Sequence, residues 1–421
     1  MKTPVVAIAW HTAFLPLIVL KCAISCVYVL CVVYVLLVLY EVAHSETCPV
    51  SLRLPPHAGC NRDSRLCDRK FNRVAFATMH NAFASTQSGF LVAQHRGCIQ
   101  SALLSGVRAF MLDVHLARSG DIFLCHVSCT LGSSSVSATL ELFRQFMQHN
   151  PREIVTIFWE FGYDMRDKSS TQHTAALRTQ LNDTMSRSQL NPLVHAQRYR
   201  WCNRTHIIPA GWPMLQTMIS SQKRLVMFTH SSHTEQDTWE TSIDDYTTQT
   251  SFQMQDVTEM QDGCDVGRWE VSHQLLVMNH FTALGALGVS GGSTSILSIL
   301  FHMKFFANIN QNPFLAKRIL SCMLHTSSFP SFVAVDYWES SDVLGVVDMI
   351  NTNFYHANTS SFSATVMDIL NSTVTDDHEE IQEFIIRQPP TGQKDDYDSE
   401  NSWISHGLPS SGRRMRRGDG R

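Results

Sequence analysis

Three short apolar runs in the first third of the chain each lead into residues that can transfer protons or bind cations. These residues are His80 and Asn81 after 74–79, Asp113 and His115 after 107–112, and His126 after 122–125. Strands that end in such residues indicate a parallel barrel, which carries its chemistry at the carboxyl ends of its strands. Two histidines with an acid between them can take and give protons on both sides of a phosphodiester. A single histidine is as often structural, so it is the repetition that favours catalysis.

The rest of the chain predicts strands that alternate with helices. Apolar and β-branched runs predict strands at 73–79, 107–112, 122–125, 154–159, 224–229, 275–278 and 332–335, with a short fifth strand within 191–209. Periodic apolar residues predict helices at 94–105, 135–149, 171–188 and 212–222. Glu160 stands at the end of the fourth strand and Asp336 at the end of the last. Residues 233–265 are polar and acidic, so we expect a long surface loop there.

Length and composition fit one large domain and give no sign of a nucleic-acid partner. The 421 residues are 44% hydrophobic, and barrels of about 250 residues commonly form one domain. The 33 basic residues are nearly balanced by 37 acidic ones, so no polyanion is expected to bind. The 20 histidines are scattered, without the spacing of a metal finger.

The first 45 residues carry a second signal. Residues 22–40 form an apolar stretch that is long enough to cross a bilayer. Lysines precede it and glutamates follow it, which favours a cytoplasmic N-terminus and a lumenal or extracellular remainder. Two interpretations stay open: a retained signal anchor, or a signal peptide cleaved near the small residues at 43–45.

Both interpretations place the rest of the chain in an oxidising compartment. Four N-x-S/T sequons agree with this, at Asn182, Asn203, Asn358 and Asn371. Nine cysteines follow residue 45, so disulfides are expected and at least one thiol is left free or paired between chains. We predict a cysteine-containing lead-in at 46–70, a barrel at 71–375 and a polar, disordered tail at 376–421.

Several stretches resemble the X domain of phosphatidylinositol-specific phospholipase C. They are ATMHNAFA at 77–84, GVRAFMLDVH at 106–115, IFLCH at 122–126, NPREIVTIFWE at 150–160 and FPSFVAVDYW at 329–338. The resemblance is strongest to the secreted or membrane-attached X-domain-only proteins of plants and protists, and it covers about 48–351. It implies an α/β fold of the TIM-type (β/α)8 class, with some distortion, and a phospholipid substrate at a membrane surface.

The resemblance also implies roles for the residues at the strand ends. His80 would be the base that deprotonates the inositol 2-hydroxyl, and His126 the acid that protonates the departing diacylglycerol oxygen. Asp113 would orient or polarise, and Asp336 would hold His80 in its productive tautomer. The product would be a cyclic inositol phosphate.

How the negative charge on phosphorus is balanced differs between branches of this family. Metal-free bacterial members use an arginine where this chain has His115, which is a cation only when protonated. Calcium-dependent animal members use four oxygen ligands, of which Asn81, Asp113 and Glu160 match three, while Met111 replaces the fourth. We therefore expect either no cofactor or weakly bound Ca²⁺.

Two other functions stay open. Glycerophosphodiester phosphodiesterases and sphingomyelinase D-like enzymes share the barrel, but they need a Glu-x-Asp pair for Mg²⁺, and Met111-Leu112-Asp113 counts against them. The other alternative is a membrane-anchored lipid-binding protein that has lost catalysis. Both His80 and His126 are present, which speaks against that loss, whereas the missing arginine or glutamate keeps it open.

Overall fold

A computed structural model describes most of the region between residues 47 and 354. The described ranges are 47–117, 119–125, 129–161, 171–201, 207–209, 211–230, 239–252, 263–266, 275–281 and 309–354, together with Val32, Leu36, Met254, Met260 and Val366. The chain divides into units Met1–Thr375 and Asp376–Arg421, and every described residue belongs to the first. The predicted anchor at 22–40, apart from Val32 and Leu36, and the predicted tail at 376–421 lie outside these ranges. No helix within them is long and apolar enough to span a bilayer.

The described residues form strands and helices in alternation. The strands are β1 Phe76–Met79, β2 Ala109–Leu116, β3 Ile122–Leu124, β4 Ser134–Ser135, β5 Val155–Phe161, β6 Tyr199–Trp201, β7 Ile207–Pro209, β8 Leu225–Thr229, β9 Thr241–Ser242, β10 Thr247–Gln249, β11 Leu275–His280 and β12 Pro330–Val335. The helices are α1 Ile99–Ser105, α2 Val136–His149, α3 Thr171–Arg187, α4 Leu215–Ser220, α5 Ile243–Tyr246, α6 Phe314–Thr326 and α7 Val343–Asn353.

Eight of the strands form one curled parallel sheet, in the order β10-β11-β12-β1-β2-β5-β8-β9. Every ladder along this path is parallel. The predicted α/β barrel is therefore confirmed, and its distortion is a seam between β9 and β10. Among the described residues no ladder joins those two strands, although only the one-turn helix α5 separates them in sequence.

Two apolar clusters hold the barrel together. Alternate residues of a strand face opposite sides of a sheet, so Phe110 and Leu112 of β2 pack under the helices while Ala109 and Met111 fill the barrel lumen. The helix α2 covers the outer face with apolar residues at helical spacing, and Phe143 contacts Phe110 edge to face with 5.2 Å between ring centroids. In folded proteins, most of the stability of a helix comes from packing its apolar face against the core in this way.

Three sequence predictions about strands were wrong. The predicted third strand at 122–125 is not a barrel strand, because β3 pairs antiparallel with an extension of β2 that continues to Leu116. The strand expected within 191–209 is a separate antiparallel pair, β6 and β7. The segment 233–265, predicted to be a loop, holds β9, α5 and β10, which supply two of the eight barrel strands.

The described residues contain four disulfides, two that close short loops and two that connect distant parts of the chain. They join Cys48 to Cys98, Cys60 to Cys67, Cys125 to Cys129 and Cys264 to Cys322. The expected disulfide usage is thus confirmed, and the ninth cysteine, Cys202, lies outside the described residues. The bond between Cys48 and Cys98 attaches the lead-in to the start of α1, so the lead-in is part of the folded unit.

Candidate active site

Strand alternation brings polar residues together at one end of the barrel. Phe76, Phe158, Phe228 and Ala334 belong to the cluster that fills the lumen. Every second side chain of a strand faces the same side of the sheet. Counting in this way from the lumen residues toward the carboxyl ends of the strands gives His80, Asp113, Glu160, His230 and Asp336. Four of these five were predicted from the sequence to form the site.

His80 and Asp336 form a short, largely buried contact. The N–H at Nδ1 of His80 donates to Oδ1 of Asp336 over 2.8 Å, and the two side chains are 16% and 3% exposed. The ring of Phe281 stacks on the imidazole with centroids 3.5 Å apart and an angle of 3° between planes. A carboxylate that accepts from Nδ1 fixes the neutral ring in one tautomer and leaves Nε2 as the basic nitrogen.

The charges around His80 favour its protonated form. Burial by itself lowers the pKa of His80, but the Asp336 carboxylate, with smaller contributions from Asp113 and Glu160, more than offsets this and raises the pKa above its ordinary value. Opposite charges close to a histidine act in this direction because they stabilise the imidazolium. The site can therefore stabilise the cation that forms when His80 accepts a proton.

Asp113 and Glu160 are in register on neighbouring strands. They are partners in the parallel ladder between β2 and β5, where strands lie about 4.8 Å apart. Asn81 is buried, in a left-handed backbone conformation with φ 44°. The next residue, Ala82, donates its N–H to the carbonyl of Met111 over 2.9 Å, which ties the turn after β1 to β2.

This donor set fits Ca²⁺ only in part. Asn81, Asp113 and Glu160 offer the oxygen atoms that Ca²⁺ prefers, but Met111 is buried in the lumen cluster and offers only a thioether. Within the described ranges there is no group of three or more His, Cys, Asp or Glu residues that could hold a metal ion. Bound Ca²⁺ at this site therefore stays a prediction.

The two remaining predicted residues differ in what the structure shows. His115 is half-buried on β2, in register with Phe123 of β3, so it lies on the extension of β2 beyond Asp113. His126 lies outside the described residues. The residue before it, Cys125, donates its N–H to the carbonyl of Asp113 over 3.4 Å. The proposed roles of both histidines stay predictions.

A model of the PI-PLC X family matches residues 66–351. The chain belongs to the PI-PLC X family. This confirms the resemblance that ATMHNAFA, GVRAFMLDVH and the later stretches carry, and the matched range contains every site residue predicted from the sequence.

Two proteins of Arthroderma benhamiae (strain ATCC MYA-4681 / CBS 112371) are similar in sequence to this X domain. PI-PLC X domain-containing protein 1 is 25% identical over 174 residues, which are 41% of this chain and 51% of the relative. An uncharacterized secreted protein is 23% identical over 171 residues, 40% of this chain and 34% of the relative. The matches thus span about half, or less, of these relatives' lengths.

Two solved structures overlap with the X domain at low identity. A mutant of the phosphatidylinositol-specific phospholipase C from Staphylococcus aureus is 14% identical, with a TM-score of 0.41, over 69% of this chain and 95% of that one. S. officinalis PLC21 is 11% identical, with a TM-score of 0.30, over 70% of this chain and 37% of that one. The assignment of the barrel rests on the strand register of this chain itself.

The X domain holds one further histidine at the same end that the sequence analysis missed. Nδ1 of His230, after β8, donates to Asp244 with 3.1 and 3.3 Å to the two carboxylate oxygens. Burial lowers the pKa of His230, but Asp244 and Glu160 outweigh it and raise the pKa. The sequence could have indicated His230, because it follows Phe228 by two residues at the end of a predicted strand. It could not have indicated Asp244, because α5 was predicted to be a loop.

Proposed function

We propose that the X domain is a phosphodiesterase of the phospholipase C type, which cleaves a phosphoinositide-type phospholipid through a cyclic phosphate. The contact between His80 and Asp336, 2.8 Å long and nearly closed to solvent, carries the proposal. It lies at the carboxyl ends of parallel strands, where barrels of this architecture place their chemistry. A histidine oriented by a buried carboxylate is a recurrent general base.

In the first step, Nε2 of His80 takes the proton of the inositol 2-hydroxyl. The oxygen attacks phosphorus, and the bond from phosphorus to the diacylglycerol oxygen breaks. His126 gives its proton to that departing oxygen, so diacylglycerol leaves as a neutral alcohol. Asp336 stabilises the imidazolium that forms on His80, because it accepts from Nδ1 in a site with little water to screen the charge.

A second step can open the cyclic phosphate with the roles exchanged. His126 takes a proton from water, the water oxygen attacks phosphorus, and His80 returns its proton to the 2-oxygen. Both histidines then recover the protonation states in which they began. Asp113 would orient or polarise the reacting groups, and His115 would supply positive charge when protonated.

We further propose that the domain acts at a phospholipid surface outside the cytosol. Four disulfides within the described residues support this, since such bonds persist in oxidising compartments. A relative named as a secreted protein supports it as well. A retained anchor and a cleaved signal both agree with this location, and no nucleic-acid partner is proposed.

The test measures turnover of phosphatidylinositol in vesicles by purified protein that begins at residue 46. Phosphorus NMR follows the product, because a five-membered cyclic phosphate resonates apart from its open form. We expect cyclic product from the wild type and a loss of roughly 10²–10⁴-fold in His80→Ala, the range that a general base contributes.

The chain offers a matched control for this variant. His57 contacts Glu153 with 2.7 Å between Nε2 and Oε1, and the side chains are 19% and 0% exposed, so the pair resembles His80 and Asp336 in length and burial. Glu153 precedes β5, at the amino end of the strands. His57→Ala should therefore keep its turnover. Equal losses in the two variants, or no turnover by the wild type, would overturn the proposal and favour a lipid-binding protein.

A further inference from the structure

The ladder between β1 and β12 stops where its next hydrogen bond is replaced. His80 donates its N–H to the carbonyl of Val335 over 3.1 Å, so in a regular parallel ladder the N–H of Tyr337 would donate to the carbonyl of His80. Instead, Tyr337 donates to the carbonyl of Gln94 over 2.9 Å. The carbonyl of His80 accepts from Nε2 of His95 over 2.5 Å. Gln94 and His95 therefore stand between the two strand ends and satisfy both groups.

A second buried side chain contacts the main chain at Asp336, the partner of His80. Asn310 donates from Nδ2 to the carbonyl of Asp336 over 2.5 Å. Asn310 is fully buried. Its main-chain carbonyl accepts from the N–H of Asp342 over 2.9 Å and from Oγ of Ser341 over 3.1 Å. The carbonyl behind each member of the pair is thus held by a side chain from another part of the chain.

Both carbonyls precede a residue in the left-handed region. Asn81, after His80, has φ 44°, and Tyr337, after Asp336, has φ 48°. Asn adopts this conformation more readily than most residues, whereas a bulky residue such as Tyr persists in it only where its surroundings hold it. His95 and Asn310 bond to the peptide groups on which these two turns depend.

The chemistry of His95 suits a fixed donor. A carbonyl only accepts, so the hydrogen must be on Nε2, and among the described residues Nδ1 has no hydrogen-bond partner. His95 is fully buried, and burial lowers its pKa despite the carboxylates of Glu339 and Asp336. His95 is therefore a neutral ring that donates to the main chain, and it has no place among the proton-transfer groups.

Building on the function proposed above, we propose that His95 and Asn310 are positioning residues for His80 and Asp336. Each holds the main chain behind one partner, so that the two side chains meet over 2.8 Å at the carboxyl end of the barrel. Neither touches the substrate in this scheme. Loss of either donor frees a strained turn and moves the base or its carboxylate, and misplacement by about 1 Å can cost roughly 100-fold in rate.

The first arm of the test compares two buried asparagines. Asn310→Asp replaces the donor with a carboxylate oxygen, and Asn351→Asp makes the same change at the opposite end of the barrel. There Asn351 donates to the carbonyl of Ala75 over 3.0 Å and accepts from its N–H over 2.9 Å. Both variants should lose thermal stability. Only Asn310→Asp should also lose kcat on phosphatidylinositol vesicles, by roughly 10–100-fold with KM little changed.

The second arm uses His95. His95→Gln keeps an N–H donor at similar reach and should retain kcat within a few-fold, whereas His95→Leu should lose roughly 10–100-fold. Proton NMR gives a readout that needs no turnover, namely the downfield resonance of the Nδ1 proton of His80, assigned by its absence in His80→Ala. It should persist in His95→Gln and Asn351→Asp and shift upfield or vanish in His95→Leu and Asn310→Asp.

Two results would overturn the assignment. One is an unchanged kcat and an unchanged Nδ1 resonance in both His95→Leu and Asn310→Asp. The other is a loss of kcat and of the resonance in Asn351→Asp equal to that in Asn310→Asp, which would make the contacts merely structural. If the wild type turns over no lipid, the proposed function fails, and the resonance still decides whether His95 and Asn310 position the pair.

Discussion

Asp336→Asn is the substitution that bears most directly on the proposed base. It keeps the size of a buried side chain and its ability to accept from Nδ1 of His80. It removes the charge, and it turns the oxygen that accepts from Gln94 into an N–H donor. At 2.8 Å and an effective dielectric constant of about 20, unit charges attract by about 6 kcal/mol. The pair is nearly closed to water, so solvent screens little of this attraction.

Most of that attraction is lost when the imidazolium forms beside a neutral amide. We expect kcat/KM on phosphatidylinositol to fall by roughly 10³–10⁴-fold, about 4–5.5 kcal/mol at 1.36 kcal/mol per tenfold change. The assay is initial-rate turnover of phosphatidylinositol in vesicles, with His57→Ala as the control. A loss below about tenfold would refute the reasoning, because His80 would then act without its carboxylate.

The same variant predicts a shift in the pH profile. A general base must be neutral, and Asp336 raises the pKa of His80, so the acidic limb of kcat/KM should lie above the ordinary imidazole pKa of about 6.5. Asp336→Asn should move that limb to lower pH on the residual rate. The pair also makes the free energy of unfolding depend on pH. Because the pKa of His80 is higher in the folded protein than in the unfolded one, the stabilisation by the pair is fully present below the unfolded pKa and is lost as pH rises through the folded pKa. The difference in Tm between wild type and Asp336→Asn should therefore shrink as pH rises.

Two further predictions concern the acid and the metal. An aryl phosphodiester of inositol needs little help from an acid, so it should restore His126→Ala far more than His80→Ala, and equal restoration in rate assays would contradict the two roles. EDTA should lower turnover without abolishing it. The substitution Met111→Glu should make turnover depend more strongly on added Ca²⁺, because it completes an oxygen donor set. If EDTA has no effect and Glu160→Ala is neutral, His115 becomes the charge partner.

The sequence was sufficient for the strands that are largely apolar. β1, β5, β8 and β12 lie where their β-branched and aromatic runs predict them, and because such strands are buried on both faces, their signal is strong. The two carboxyl-end residues that meet, His80 and Asp336, followed from the same strands, although they are far apart in sequence.

Elements that depend on distant contacts could not be predicted. β9 and β10 are two and three residues long and are polar, so only their pairing with β8 and β11 makes them strands. Residues 94–98 were assigned to a helix, yet α1 begins at Ile99. Hydrogen bonds from Gln94 and His95 to the carbonyl of Ala84 hold that segment in bends around a single bridge between Ser85 and His95, and nothing in its local pattern reveals these contacts.

The seam between β9 and β10 has a consequence for how such a barrel can change over evolution. In a fully closed barrel, strand number and stagger together fix the diameter, so a wider lumen requires every register to change. Here the circle is completed by the one-turn helix α5 and not by a ladder. An insertion or deletion within α5 therefore alters the spacing of β9 and β10 while all the parallel ladders keep their register. Asp244 lies in this link and contacts His230, so a change of length within these four residues would also move the partner of a histidine at the carboxyl end of the barrel.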